Sequence, residues 1–220
     1  MRNVDASWRS TAFWLPLAVA VLPVLATHAA YVLSIRDGFV PACLPYWDGC
    51  TSISRAARHG EGNLLFKAVM LPSAALLGWL WWRAGEWTGV RDAPLRALGL
   101  IAACALGVYV AFLGAEGDFS RWLRRYGALI YFGANYLAMI LWVRGAHRAG
   151  LRSGAMRLQT LLCVLLLAFG LISVAASALV DDAGLKDRIE NAIEWTLGAL
   201  FTLWFLALAF HARSPAPGRS

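Results

Sequence analysis

Charged residues are almost absent from six long stretches of this 220-residue chain. No Asp, Glu, Lys or Arg occurs between Arg9 and Arg36, and five similar gaps follow, at 68–82, 97–115, 126–143, 158–180 and 195–212. A helix needs roughly 20 apolar residues to cross about 30 Å of hydrocarbon. These stretches use most of the chain. They leave no room for a soluble catalytic domain and limit any function to a helical bundle and its loops.

Motifs of several catalytic and metal-binding classes are also missing. The chain has no G-x-S-x-G, no H-E-x-x-H and no Walker loop. Its four histidines are dispersed along the sequence, which argues against a His-rich metal centre. We therefore predict neither a bound metal nor a cofactor.

What the chain does contain predicts an all-α, polytopic membrane protein that forms a single domain over residues 1–220. The predicted spans are 11–34, 63–83, 95–115, 124–144, 157–180 and 190–211. The first apolar stretch is long for a secretory signal, so we interpret it as a retained first helix. Most of the eleven Trp residues lie near the predicted span ends, which is typical of an interfacial aromatic belt. Among them are Trp14, Trp79, Trp81, Trp82, Trp122, Trp142 and Trp195.

The distribution of basic residues predicts the orientation. With the N-terminus inside, the inner segments carry eleven Lys or Arg and the outer segments carry nine, a small excess in the sense of the positive-inside rule. Both termini are therefore predicted to be cytoplasmic. Arg outnumbers Lys 18 to 2 and no N-x-Ser/Thr sequon occurs, as in proteins of GC-rich bacteria. The expected location is the plasma membrane, which is the inner membrane if the source is bacterial.

The first outer loop, 34–62, contains the cysteine pair Cys43 and Cys50. Between them, Asp48-Gly49 predicts a turn that brings the two sulfurs together. Outside the cytosol such a pair oxidises. We predict a disulfide that pins this loop, with two free thiols as the alternative.

Polar residues at membrane depth are the candidates for a site, because such residues usually face the protein interior or a wet cavity. Lys67 and Glu194 both lie one turn into their predicted helices and are placed to form an ion pair. Glu194 and His28 are the candidates for acid–base chemistry. The ligand-binding candidates are Arg55, Arg58, Lys67, Glu116, Arg124, Asn135 and Glu194. The alternative is that these side chains form interhelical hydrogen bonds that fix the packing.

Three groups of residues resemble a known family. The first is Ser52-Ile53-Ser54 with Gly60-Glu61 and Leu65-Phe66, the second is Gly107 to Phe112 with Arg124-Arg125-Tyr126-Gly127-Ala128 and Tyr136, and the third is Ile193-Glu194-Trp195 with Phe205 and Phe210. In their order and spacing, residues 11–211 resemble the FRAG/DRAM/Sfk family of six-helix membrane proteins, which is related to the N-terminal region of GPI-lipid remodelling proteins. Arg124 stands where the family pattern has His, so proton chemistry at that position is not carried over, although Arg can bind phosphate.

The resemblance implies lipid-related work, such as remodelling of GPI lipid anchors, scaffolding of a lipid kinase or regulation of autophagy. Of these implied roles, only the general connection with lipids applies to a bacterial protein. The predicted function is recognition or remodelling of a lipid headgroup from the outer face. The alternatives are a non-enzymatic scaffold that binds a membrane partner and an acyl-modifying lipid enzyme. The expected partners are membrane lipids or another membrane protein, and no nucleic acid.

Overall fold

The computed structural model describes the backbone of residues 2–88 and 92–213 and the side chains of 11–87 and 92–211. Within these residues the chain folds into eight α-helices joined by turns and short loops. They are α1 (Arg2–Arg36), α2 (Pro45–Asp48), α3 (Ile53–Ala56), α4 (Gly60–Thr88), α5 (Ala93–Phe112), α6 (Asp118–Arg148), α7 (Gly154–Leu179) and α8 (Ala183–Arg213).

Six of these helices are long and apolar enough to cross a membrane, which confirms the predicted all-α, six-span architecture. The apolar spans are Thr11–Arg36, Gly60–Trp87, Ala93–Phe112, Asp118–Arg148, Gly154–Leu179 and Ala183–His211. Several helices extend beyond the predicted spans, because charged residues at their ends continue the helix into the polar region. The third span is shorter than predicted: α5 ends at Phe112, and Leu113 is extended.

The six spans give the bundle two ends. We call the end that carries the Cys43–Cys50 loop the disulfide end and the opposite one, where α1 begins and α8 ends, the terminal end. Helix α1 packs between α4 and α8, α4 packs on α5, α5 on α6, and α7 on α8. One hydrophobic core draws buried residues from all six spans.

Helices α6 and α7 meet toward the terminal end. The Tyr136 hydroxyl donates to the backbone oxygen of Cys163 at 3.2 Å, and the side chains of His147 and Thr160 are hydrogen-bonded at 3.3 Å. Toward the disulfide end α7 is exposed on most sides. Its exposed residues there include Leu171, Ile172, Val174 and Leu179. The two helices therefore separate as they approach the disulfide end.

The exposure of the Trp side chains agrees with the interfacial assignment for some of them and contradicts it for others. Trp14, Trp79, Trp82 and Trp122 are about half exposed, as a belt requires. Three others predicted for the belt, Trp81, Trp142 and Trp195, are almost completely buried.

Trp81 shows how such a large ring is accommodated. It lies directly on Gly99, where a Cβ atom would overlap its ring, and the missing side chain lets α4 and α5 approach closely. Its indole Nε1–H donates to Asn135 Oδ1 at 2.8 Å. The buried ring thus has both a packing partner and a hydrogen-bond partner.

Candidate functional site

The disulfide predicted in the first loop is present, between Cys43 and Cys50. The segment it closes is not a simple turn but contains α2, whose C-cap, Gly49, lies in the left-handed region with φ +59°. The side chain of Asp48 supports this turn by accepting a hydrogen bond from the Leu44 N–H at 2.8 Å.

The disulfide loop is fastened to one face of α8. Three side chains of that helix, at positions i, i+3 and i+7, donate to loop carbonyls. These bonds are Arg188 Nε to Asp48 O at 3.0 Å, Asn191 Nδ2 to Gly49 O at 2.9 Å and Trp195 Nε1 to Thr51 O at 2.9 Å. Residues spaced in this way share a helix face. The loop therefore lies against α8 instead of extending into solvent.

Glu194 lies on the same side of α8 and caps α3. Its carboxylate Oε1 accepts a hydrogen bond from the Ser54 N–H at 3.2 Å, and the Ile53 N–H also donates to it. A negative charge at the start of a helix is stabilised by the exposed backbone N–H groups there. The charged groups that act on Glu194 are Arg55 and Arg58. The contacts described for Glu194 do not include the predicted partner, Lys67.

A cavity of about 1000 Å³ lies beside this contact, between α1, α5, α6 and α8. Toward the disulfide end its wall carries ionisable side chains, namely Arg58, Arg121, Arg124, Arg125, Glu190 and Glu194. Farther into the bundle the wall is apolar and includes Val19, Met70, Leu106, Phe132, Phe201 and Phe205. Phe205 lies 11 residues beyond Glu194 on α8, which corresponds to roughly 16 Å of helix. The cavity is therefore polar at one end and apolar at the other.

The arginines of the polar end come from two separate segments. Arg121, Arg124 and Arg125 share a face of α6, at i, i+3 and i+4, and Arg58 directly follows α3. The charges of Arg58 and Arg121 both act on Arg124. Arg124 Nη1 also donates to the backbone oxygens of Phe112 and Ala115, which holds the end of α5.

Two further groups complete the polar end. Tyr109 of α5 lines the cavity, where the charges of Glu194, Arg58 and Arg124 act on it. The Nε atom of Arg58 is buried and has no hydrogen-bond partner within the described part of the chain. A buried, charged donor without a partner is costly, so this atom is a natural position for an anionic ligand.

His28 lies in the cavity wall on α1 and is held by two hydrogen bonds. Its Nδ1 is 2.8 Å from the backbone oxygen of Val24, so Nδ1 carries a hydrogen. In the neutral ring Nε2 then accepts from the Tyr46 hydroxyl at 3.1 Å. Burial raises the pKa of Tyr46, which keeps this phenol a donor. The lone pair that a general base would use is thus already engaged.

The structure brings only some of the predicted site residues together. His28, Arg58, Arg124 and Glu194 line the cavity. The other four predicted residues lie outside the cavity lining. Arg55 pairs with Asp187 at 3.1 Å, and Lys67 lies on α4. Glu116 is exposed between α5 and α6, and Asn135 is buried against Trp81.

Sequence reasoning did not assign Tyr109, Arg121 or Arg125 to the site. The spacing of Arg121, Arg124 and Arg125 was the available signal, because it places three positive charges on one helix face. Nothing comparable marks Tyr109, which is one aromatic residue in a uniformly apolar helix.

Among the side chains that the structure describes, no group of three or more His, Cys, Asp or Glu residues is placed to hold a metal ion. Comparisons with protein-family models, with curated proteins and with solved structures found no match. The resemblance to the FRAG/DRAM/Sfk family stays a prediction.

Proposed function

We propose that this membrane protein binds a lipid through its phosphate-bearing headgroup, in the cavity at the disulfide end of the bundle. Arg58, Arg121 and Arg124 are the proposed ligands for the phosphate, and the Tyr109 hydroxyl lies beside them. The observation that carries this proposal is the buried Nε of Arg58, which has no hydrogen-bond partner in the described structure although it lies in the wall of a large cavity.

The charge of the cavity favours an anion. Its lining contains four arginines and two glutamates, which leaves an excess of two positive charges. The positive charges of Arg58 and Arg121 repel Arg124, and a bound phosphate would relieve that repulsion. The planar guanidinium group matches two oxygens of a phosphate, and such charge-assisted hydrogen bonds are stronger than neutral ones.

The position of the cavity favours a lipid over a soluble phosphate. The arginines of α6 lie within the first turns of a membrane-spanning helix, where the headgroups of a bilayer lie. The apolar half of the cavity continues directly from them toward the middle of the bundle.

Native mass spectrometry in detergent tests the proposal, with dioleoyl phosphatidic acid and dioleoylglycerol as probes. These lipids have the same chains and differ in the phosphate. We expect the wild-type protein to retain phosphatidic acid in preference, and Arg58→Gln to weaken that retention by about tenfold or more, since hydrogen bonds to charged groups contribute about 1.5–3 kcal/mol.

Two matched arginine variants serve as controls. Arg148→Gln removes an exposed arginine at the terminal end of α6, and Arg55→Gln removes the α3 arginine that pairs with Asp187. Neither should alter retention of phosphatidic acid. Equal retention of the two lipids by the wild type, or equal effects of Arg58→Gln and Arg148→Gln, would contradict the proposal.

We propose recognition without turnover, because His28 Nε2 already accepts a hydrogen bond and the Glu194 carboxylate is engaged by the backbone N–H groups at the start of α3, which makes it a weaker base. The lipidome of a deletion strain, complemented with wild type or Glu194→Gln, tests this choice. An unchanged lipidome supports recognition. A shift in one lipid class that only the wild type reverses supports the acyl-modifying or remodelling alternative.

A further inference from the structure

We infer that the cavity holds a whole lipid, with an acyl chain in its apolar half, and that the lipid reaches it sideways from the bilayer between α6 and α7. This inference rests on the proposed function, which concerns the headgroup alone. It adds where the acyl chain of the lipid lies and the route by which the lipid enters the cavity.

The size and lining of the cavity carry the first part. A volume of about 1000 Å³ is at the upper end of ligand pockets and far exceeds what a phosphate group needs. The inner part is lined by aliphatic and aromatic side chains from four helices, including Val19, Leu106, Phe132 and Phe201. The rings of Phe132 and Phe201 lie 5.4 Å apart and join α6 to α8. An apolar space that continues from a phosphate-binding end matches the amphipathic shape of a lipid.

The separation of α6 and α7 carries the second part. The two helices are hydrogen-bonded in the half nearer the terminal end, through Tyr136 and His147. Nearer the disulfide end, Leu129 of α6 and Val174 of α7 are both about two-thirds exposed. Ser173 of α7 nevertheless lines the cavity, so the cavity extends to the side of the bundle where these helices part. That side faces the hydrocarbon of a bilayer.

The disulfide loop narrows the other route into the cavity, which leads from water at the disulfide end. Tyr46 of α2 and Ser54 of α3 form part of the cavity wall, and the loop that carries them is bonded to α8 through Arg188, Asn191 and Trp195. Sideways access from the bilayer requires no movement of this loop.

Photo-crosslinking in phosphatidylcholine nanodiscs tests where the chain lies. The probe is phosphatidic acid with a diazirine near the end of one acyl chain, and labelled residues are located by mass spectrometry. We expect labels on Met70, Leu106, Phe201 or Phe205 inside the cavity, and also on bilayer-facing residues such as Leu167. Excess unlabelled phosphatidic acid should reduce the labels inside the cavity at least tenfold. The labels on bilayer-facing residues should fall only as far as the probe is diluted among the lipids of the nanodisc.

Tryptophan variants test the compartment and its access route separately. Ala128→Trp places bulk in the cavity wall on α6, and Ser173→Trp places it at the edge of the cavity that α7 forms. Ala128→Trp should reduce labelling inside the cavity at every time point. Ser173→Trp should slow the rate at which labels inside the cavity appear by about tenfold. Ala175→Trp, on the exposed surface of α7, is the matched control and should change neither.

The outcomes separate this inference from the proposed function. If only bilayer-facing residues are labelled while Arg58→Gln still weakens retention of phosphatidic acid, the chain compartment is wrong and headgroup binding stands. If Ser173→Trp labels as fast as wild type, the route between α6 and α7 is wrong. If Arg58→Gln has no effect on retention, the proposed function itself fails.

Discussion

The carboxylate of Glu194 accepts a hydrogen bond from the backbone N–H of Ser54 across 140 residues of sequence, at 3.2 Å. This contact joins the last membrane helix to the first loop. Arg58 follows one turn after Ser54, so the same contact holds an arginine of the proposed phosphate site in the cavity wall. The same contact therefore positions both the loop and the proposed phosphate site.

Substitution of Glu194 should separate its charge from its role as a hydrogen-bond acceptor. Glu194→Gln keeps an oxygen for the Ser54 N–H, so we expect a melting temperature within a few degrees of wild type. Glu194→Leu leaves the N–H groups of Ser54 and Ile53 without this partner, which costs about 1–3 kcal/mol, or roughly 2–12 °C for a chain of this size. A thermal shift assay in detergent measures both. Glu190→Leu, one turn earlier in the same wall, should have a smaller effect than Glu194→Leu.

Loss of the Cys43–Cys50 disulfide should destabilise the loop. Closure of an eight-residue loop contributes about 2–3 kcal/mol in the chain-entropy model, so Cys50→Ser should lower the melting temperature measurably. Cys104→Ser, which changes a free cysteine of α5, should not. A reducing agent should reproduce the effect in the wild type and leave Cys50→Ser unchanged. A wild-type protein insensitive to reductant would show that the bond does not stabilise the loop.

Two glycines with positive φ form a matched pair for testing the contact between the loop and α8. At Gly49 an added Cβ would overlap the backbone oxygen of Arg188, whereas at Gly38 it would meet no atom within 4 Å. Gly38→Ala should therefore cost only the conformational strain of about 1–2 kcal/mol. Gly49→Ala should cost more, because the loop must also move away from α8. Hydrogen exchange of residues 43–51 should increase in Gly49→Ala alone, and equal exchange in the two variants would contradict the packing described.

Asn135 should prove to be a packing residue. Its Oδ1 satisfies the buried indole N–H of Trp81, so Asn135→Leu should lower the free energy of unfolding by about 1–3 kcal/mol. Retention of phosphatidic acid by the folded fraction should equal that of wild type, since Asn135 lies outside the cavity lining. Thermal unfolding and native mass spectrometry on the same preparation give both values. A selective loss of lipid without a loss of stability would instead return Asn135 to the site.

Local features of the sequence were sufficient for the helices and the disulfide. Long uncharged stretches predict spans because an unpaired charge in hydrocarbon is costly, and a turn signal between Cys43 and Cys50 predicts that they meet. The short helices α2 and α3 were not predicted, since four-residue helices have no periodicity to detect. Their positions depend on contacts with α8, more than a hundred residues away.

The sequence by itself determined how many helices are predicted to cross the membrane, because a sufficiently long stretch without charged residues is favourable in a bilayer only as a membrane-spanning helix. Which side of each helix faces lipid and which faces the protein was decided only in the tertiary structure, since both environments are apolar and favour the same residues. That is why Trp81 and Trp142 could be mistaken for interfacial residues. The tertiary structure also decided the surroundings of Arg55 and Arg58, three positions apart, because their partners come from distant segments: Arg55 pairs with Asp187 of α8, whereas Arg58 lines the cavity.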